Sequence, residues 1–191
     1  MRRDIIFSNS FQKQKQDILS KPDKSSKGFL DPKIEKLCSK INIINEYYTT
    51  SSCSGRVVLM IDSEKKSPDL FLKVYHDLVN FYDFKKNLLE IKNENVKFKQ
   101  EPCIIHIACK DFESAVKIYD KGKLTGWKKS GIISTGKRFV VELNGTERIE
   151  FPLIVNGKIL VEDIFLKAAI EKANENMKKS WMKIRKLERI V

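Results

Sequence analysis

Scarcity narrows the chemistry before any motif does. Only two histidines, His76 and His106, and four cysteines, Cys38, Cys53, Cys103 and Cys109, occur in 191 residues. None of them forms a CxxC, HxH or HxxxH pair. On an extended strand, at about 3.3 Å per residue, Cys103 and Cys109 stand roughly 20 Å apart, too far to share an ion, so no metal site is expected. A chain of this length folds without disulfide staples, which points to reduced thiols and a cytoplasmic setting. Glycine is sparse at eight residues. No GxGxxG follows a strand pattern and there is no P-loop, which excludes a Rossmann nucleotide site. No run approaches the roughly 18 uncharged apolar residues of a membrane span. MRRDIIFSNS lacks the apolar stretch and cleavage site of a secretory signal.

Acidic residues are also short, with 25 Asp and Glu against 37 Lys and Arg, a net charge of +12. The excess gathers at the ends. Residues 1–30 hold seven Lys or Arg against three Asp, and residues 172–191 hold seven against two Glu. Such ends suit a polyanion, because each neutralised phosphate releases counterions, although simple solubility accounts for them equally well. Apolar residues at 41% and charged residues at 32% are ordinary for a globular chain. We expect one domain over residues 1–191, or two small lobes sharing a core, with a basic N-terminal segment at 1–30 and a basic C-terminal helix at 162–191.

Periodicity supplies the elements. DPKIEKLCSKINIINEYY reads as a helix capped by Asp31 with Pro32 in its first turn and Ile34, Leu37, Cys38, Ile41, Ile44 and Tyr48 on one face. RVVLMID and FLKVY read as strands. HDLVNFYDFKKNLLEIK returns to helical spacing through Leu78, Phe81, Tyr82, Leu88 and Leu89, with His76 at its start. VKFKQEPCIIHIACK is a strand pair or one bent strand marked by Pro102, and CIIHIAC, apolar on both faces, belongs in a sheet centre. A helix capped by Asp111 buries Phe112, Ala115, Val116 and Tyr119 and stops at Gly122 and Gly126. Short strands SGIIS, KRFVVEL and ERIEFPLIV follow, and a helix of some 28 residues with a Phe165, Ala169, Ala173, Met177, Trp181, Ile184 and Leu187 stripe closes the chain.

The densest chemistry sits in TTSSCSGR, residues 49–56, where hydroxyls, a thiol, Gly55 and Arg56 arrive together at the mouth of a strand. SGIISTGKRFVVEL echoes it: hydroxyls, glycine, a cation, then paired valines. A duplicated helix-loop-strand unit would set both glycine-cation turns on one edge of a shared sheet, although such turns are common without duplication. Backbone amides and cations of this kind hold anions. Cys53 or Cys103 beside a cation could be nucleophilic, yet free cysteines are usually buried. His106 alternates with Ile104 and Ala108 on a central strand, which suits a hydrogen-bonded core histidine as well as a catalytic one. Glu101 opens the same stretch.

Together with LSKPDKSSKGFLD, KQEPCIIHIACKD, GWKKSGI followed by GKR, IEFPL and ANENM, this block resembles the tRNA wybutosine-synthesizing protein 3 family, in order and over about residues 11–180. TTSSCSGR is the specific piece, and the short Ile- and Lys-rich loops point to an archaeal member. The resemblance implies an α+β fold, a mixed sheet packed with helices, internally duplicated and not Rossmann. It also implies an S-adenosylmethionine-dependent methyltransferase acting on N-4 of the demethylated 7-aminocarboxypropyl wyosine base at position 37 of phenylalanine tRNA. Ser51, Ser52, Cys53, Ser54, Gly55, Arg56, Ser130, Gly131, Gly136, Lys137 and Arg138 would then shape the pocket, Arg56 fixing a carboxylate or phosphate. Trp127 and Tyr75 keep rings that could stack on a base. Glu101, His76 or His106 would take the proton, and Lys21, Lys24, Lys27, Lys179, Lys183 and Lys186 would hold tRNA phosphates. A non-catalytic RNA-binding protein, its glycine-cation turns on phosphates, is the alternative.

Overall fold

The computed structural model describes residues 2–21, 31–64, 67–92, 94–136 and 138–191. Among these it has five α-helices and nine strands. The chain divides into two compact units. One comprises Met1–Ser54, Cys103–Thr146 and Trp181–Val191, and the other Gly55–Pro102 and Glu147–Ser180.

In the first unit a four-stranded antiparallel sheet runs in the order β1 (Tyr47–Cys53), β5 (Ile104–Cys109), β7 (Phe139–Asn144), β6 (Gly131–Ser134). Helix α2 (Pro32–Ile43) begins where the Asp31 carboxylate accepts the Lys33 amide at 3.0 Å, which satisfies one of the amides that a helix start leaves without an intrahelical partner. Its buried face, Ile34, Leu37, Cys38 and Ile41, meets Ile105 and Ile107 of β5, Ala115 and Ile118 of α4 (Phe112–Leu124), and Ile184 and Leu187. Helix α1 (Arg2–Leu19) packs Phe11 on Tyr48, ring centroids 5.1 Å apart, in a small cluster with Ala108. Alternation puts Ala108 on the face opposite Ile105 and Ile107.

The second unit holds a five-stranded antiparallel sheet, β3 (Phe71–Tyr75), β2 (Arg56–Ile61), β4 (Val96–Glu101), β8 (Ile149–Val155), β9 (Lys158–Ile159). Its core joins Val57, Leu59, Phe98 and Leu153 to Phe84 and Leu88 of α3 (Phe81–Leu89) and to Leu166, Ile170 and Ala173 of α5 (Asp163–Ile190). Phe98 stacks on Phe151 with ring centroids 4.9 Å apart, and Phe84 meets Phe98 at 5.6 Å with the ring planes tilted by 59°. From α5, Asn174 pins the Val79 amide and carbonyl at 2.8 and 2.9 Å. Asn176 donates to Gln100 at 2.8 Å, and Gln100 donates to the Glu147 carbonyl at 3.2 Å. The two asparagines of ANENM therefore satisfy buried polar groups of this unit.

The α+β class holds, but the single mixed sheet expected from the resemblance is two antiparallel sheets. TTSSC is not a loop: it is strand β1, paired to β5. Gly55, at φ 105°, turns the chain from β1 to β2 in the other sheet, a conformation that glycine adopts without steric cost. Pro102 separates β4 from β5 in the same way: VKFKQE and IIHIAC lie in different sheets, and β5 is interior to its own. The strands compared in the echo, Arg56–Ile61 and Phe139–Asn144, also lie in different sheets, so no shared sheet edge carries both turns. Helix α3 starts at Phe81 with Asn80 as its cap, leaving His76 in a bend; Leu78, Tyr82 and Leu89 are exposed while Phe84 and Leu88 are buried. Phe112 and Phe165 are half exposed, their expected places taken by Ile118 and Leu166. Gly122 lies inside α4, where a Cβ would stand 2.6 Å from the Leu143 side chain, and Gly126, at φ 95°, follows the helix end. Trp127 is wholly buried, and Tyr75 is half buried with its hydroxyl accepting from Asn87 at 2.8 Å, so neither ring is presented as an open stacking surface.

Candidate active site

Strand β1 skips one residue between Thr49 and Ser51, pairing Thr49 with Ile107 and Ser51 with His106. A bulge of this kind re-aims the residue that follows it. Ser51 thereby shares a face with His106, which lies opposite Glu142, which in turn lies opposite Gly131 on β6. The row is joined by hydrogen bonds. Ser51 Oγ is 2.6 Å from His106 Nδ1, and His106 Nε2 is 2.8 Å from Glu142 Oε2. The other oxygen of Glu142 accepts from Asn144 Nδ2 at 3.3 Å. An ionised carboxylate only accepts, so in the neutral ring Nε2 carries the hydrogen and Nδ1 accepts from the serine hydroxyl. Burial pushes the Glu142 carboxyl up, but the His106 and Asn144 hydrogen bonds outweigh it and hold the group below its usual range. Ser51 is exposed, and the His106 and Glu142 side chains are 25% and 27% accessible. An imidazole poised between a hydroxyl and a carboxylate can take a proton from a group at the serine.

The second unit assembles a different cluster. Arg56 lies opposite Glu101 across β2 and β4, its Nε 2.7 Å from Glu101 Oε2 and its guanidinium 4.8 Å from the Phe71 ring centre. Lys99 holds the other carboxylate oxygen at 2.9 Å. Burial raises the Glu101 carboxyl, and the charges and hydrogen bonds of Arg56 and Lys99 more than reverse this, leaving it below the usual range. A carboxylate held by two cations is a poor proton acceptor.

The remaining candidates scatter. Ser52 faces the core and accepts from the Cys38 thiol at 3.5 Å. Ser54 is buried, its amide and hydroxyl both on Asp31. Ser130 donates to the Trp127 carbonyl at 2.6 Å and accepts from the Asn144 amide at 3.1 Å, anchoring β6 beside β7. Arg138 donates to the Tyr48 hydroxyl at 2.7 Å. Gly136 lies in an exposed bend, Cys53 is half buried and Cys103 fully buried. Lys137, Lys24 and Lys27 lie outside the described residues. Lys21, Lys179 and Lys186 are exposed, and Lys183 is half buried. Sequence reasoning missed Glu142 and Asn144. The signal was in FVVELN, where a charged and an amide residue interrupt an apolar strand two positions apart, on one face.

The chain matches the family model described as Methyltransferase TYW3 over residues 13–191. It is 37% identical to the tRNA(Phe) 7-((3-amino-3-carboxypropyl)-4-demethylwyosine(37)-N(4))-methyltransferase of Methanocaldococcus jannaschii, over 80% of this chain and 81% of that one. The protein of the same name from Thermococcus sibiricus is 32% identical over 96% and 95%. A tRNA wybutosine-synthesizing protein 3 homolog of Danio rerio is 32% identical over 93% and 73%. Among solved structures, the PH1069 protein from Pyrococcus horikoshii superposes with a TM-score of 0.85 at 32% identity, over 96% of this chain and 94% of that one.

Proposed function

Because the chain belongs to the TYW3 methyltransferase family, we propose that it methylates N-4 of the demethylated 7-aminocarboxypropyl wyosine base at position 37 of phenylalanine tRNA, in the cytoplasm, with S-adenosylmethionine as donor. The donor supplies a methyl group on a sulfonium. The residues present fit a ligand of that kind: Arg56, part-buried with its Nε on Glu101, carries a guanidinium that suits a carboxylate.

One observation supports the chemistry above the others, the Ser51–His106–Glu142 row. Methyl transfer to a ring nitrogen needs alignment and removal of one proton. Ser51 Oγ accepts the N–H proton while its own passes to His106 Nδ1. Glu142 then faces the imidazolium and balances its charge. Of the three candidates for proton acceptor, His106 joins a hydroxyl to a carboxylate. Glu101 is neutralised by Arg56 and Lys99. Lys21 and the α5 cations Lys179, Lys183 and Lys186 are assigned to phosphates, with Lys24 and Lys27 as further candidates.

The test is a labelled-methyl assay on tRNA carrying the demethylated base, comparing wild type with His106→Ala and Glu101→Gln. Loss in the first and retention in the second is the expected result. Tight tRNA binding with neither donor binding nor transfer in the wild type would instead favour a non-catalytic RNA-binding protein.

A further inference from the structure

Strand alternation alone would keep Ser51 out of the relay. Side chains two positions apart share a strand face, and in β1 Tyr47 and Thr49 lie opposite Cys109 and Ile107, on the side of the buried core. Ser51 comes next in that series. The bulge breaks it: Ser51 lies opposite His106 on the other face, while Ser52, opposite Ile105, returns to the core side. A one-residue shift in β1 therefore decides whether the serine meets the imidazole.

Helix α2 holds the chain on both sides of that shift. Asn42, half buried near its end, accepts the Thr49 amide on Oδ1 at 2.8 Å and donates from Nδ2 to the Thr49 hydroxyl at 3.1 Å. Strand β1 is the edge of its sheet, where amides that point away from the neighbouring strand need a partner from elsewhere. The Asn42 carbonyl supplies one to Thr49, the last residue before the register breaks. Cys38, one turn earlier on the same helix face, donates its thiol to Ser52 at 3.5 Å. The two contacts bracket the bulge, and the one from Asn42 fixes main chain as well as side chain.

Resting on the proposed function, we infer that Asn42 is a positioning residue for the proton transfer: it clamps Thr49 at the start of the bulge and so turns Ser51 Oγ toward His106 Nδ1. It acts through where Ser51 stands, not on the imidazole itself.

Asn42→Ala removes the clamp, whereas Asn42→Asp keeps two acceptor oxygens, one for the Thr49 amide and one for its hydroxyl. The first readout needs no turnover. With only two histidines in the chain, the His106 ring nitrogens are assigned by nitrogen NMR against His106→Ala, and Ser51→Ala marks the Nδ1 signal that lacks the serine hydrogen bond. Asn42→Ala is expected to move Nδ1 to the Ser51→Ala position, and Asn42→Asp to leave it at the wild-type one. The second readout is a double-mutant cycle. Asn42→Ala should lower kcat about tenfold to a hundredfold, as Ser51→Ala does, with KM for tRNA unchanged, and the double variant should be no slower than Ser51→Ala alone. A wild-type Nδ1 signal in Asn42→Ala, a fully displaced one in Asn42→Asp, or losses that multiply in the double variant would overturn the inference. A displaced signal in Asn42→Ala with transfer unchanged in Ser51→Ala supports the clamp and sinks the relay beneath it.

Discussion

Ser51 and Arg56 stand five residues apart in one motif, yet they belong to different compact units and meet opposite electrostatic fates. Each ends at a glutamate carried on antiparallel strands. In the second unit Arg56 and Lys99 close directly on Glu101, and both oxygens are taken by cations. In the first, Glu142 is reached through an imidazole, and the far end of that chain is a hydroxyl open to solvent. Fixed cations lock a carboxylate into its charged form, whereas an intervening histidine leaves one group free to change protonation state. The first arrangement suits charge recognition and fold stability; the second suits proton transfer.

Substitution at the two glutamate systems should separate them most widely. His106→Ala is expected to lower kcat by about 10²- to 10⁴-fold with the circular dichroism spectrum retained. Glu101→Gln is expected to leave the rate per folded molecule within a few-fold and to reduce stability by about 1 kcal/mol, since it removes the negative charge that partly exposed Arg56 and Lys99 share. Denaturant midpoints beside turnover rates check both, and a reversal of the two effects would break the comparison.

The basic helix α5 gives the next largest effect. Converting Lys179, Lys183 and Lys186 to Glu should weaken tRNA binding and flatten its salt dependence by about 0.7 to 0.9 of a log unit per lost phosphate contact, with donor affinity unchanged. Filter binding at several salt concentrations measures it. An unchanged slope would remove the helix from the tRNA surface. Within the relay, Ser51→Ala should cost about tenfold to a hundredfold in kcat, less than His106→Ala, because a water can stand in for the hydroxyl but not for the base.

A smaller contrast lies in alkaline stability. Burial holds the Tyr47 hydroxyl and the Cys109 thiol of the first unit neutral up to about 12, from ordinary values of 10.0 and 9.0. Both groups ionise sooner in the unfolded chain. Their contribution is present below pH 9 and is lost as the pH rises toward 12. Urea midpoints should fall steadily over that interval, and Tyr47→Phe should shallow the decline. A midpoint independent of pH up to 12 would contradict it.

Elements with strong local signals were legible from sequence. Asp31, Asp111 and the α5 periodicity announce their helices, and CIIHIAC its interior strand, because caps and apolar runs act over a few residues. The partition into two sheets was not. TTSSC looks like a loop because its hydroxyls lie on a half-exposed face, and only pairing with β5 makes it a strand. The candidate site was half legible. Ser51 and His106 were picked out singly, but their contact depends on the bulge at Thr50, and Glu142 lies 36 residues from His106. Register across strands decides which of these residues meet, and one sequence does not carry it.

The direct test of the relay is the pH dependence of single-turnover methyl transfer from pH 5 to 9 in wild type, His106→Ala and Glu101→Gln. A base must be unprotonated to accept the proton, so the group that serves as base gives the rate its acid limb. The expected result is an acid limb in wild type and in Glu101→Gln, with a low, flat residual rate in His106→Ala. An acid limb that survives in His106→Ala and disappears in Glu101→Gln would contradict the assignment and move the base to the second unit.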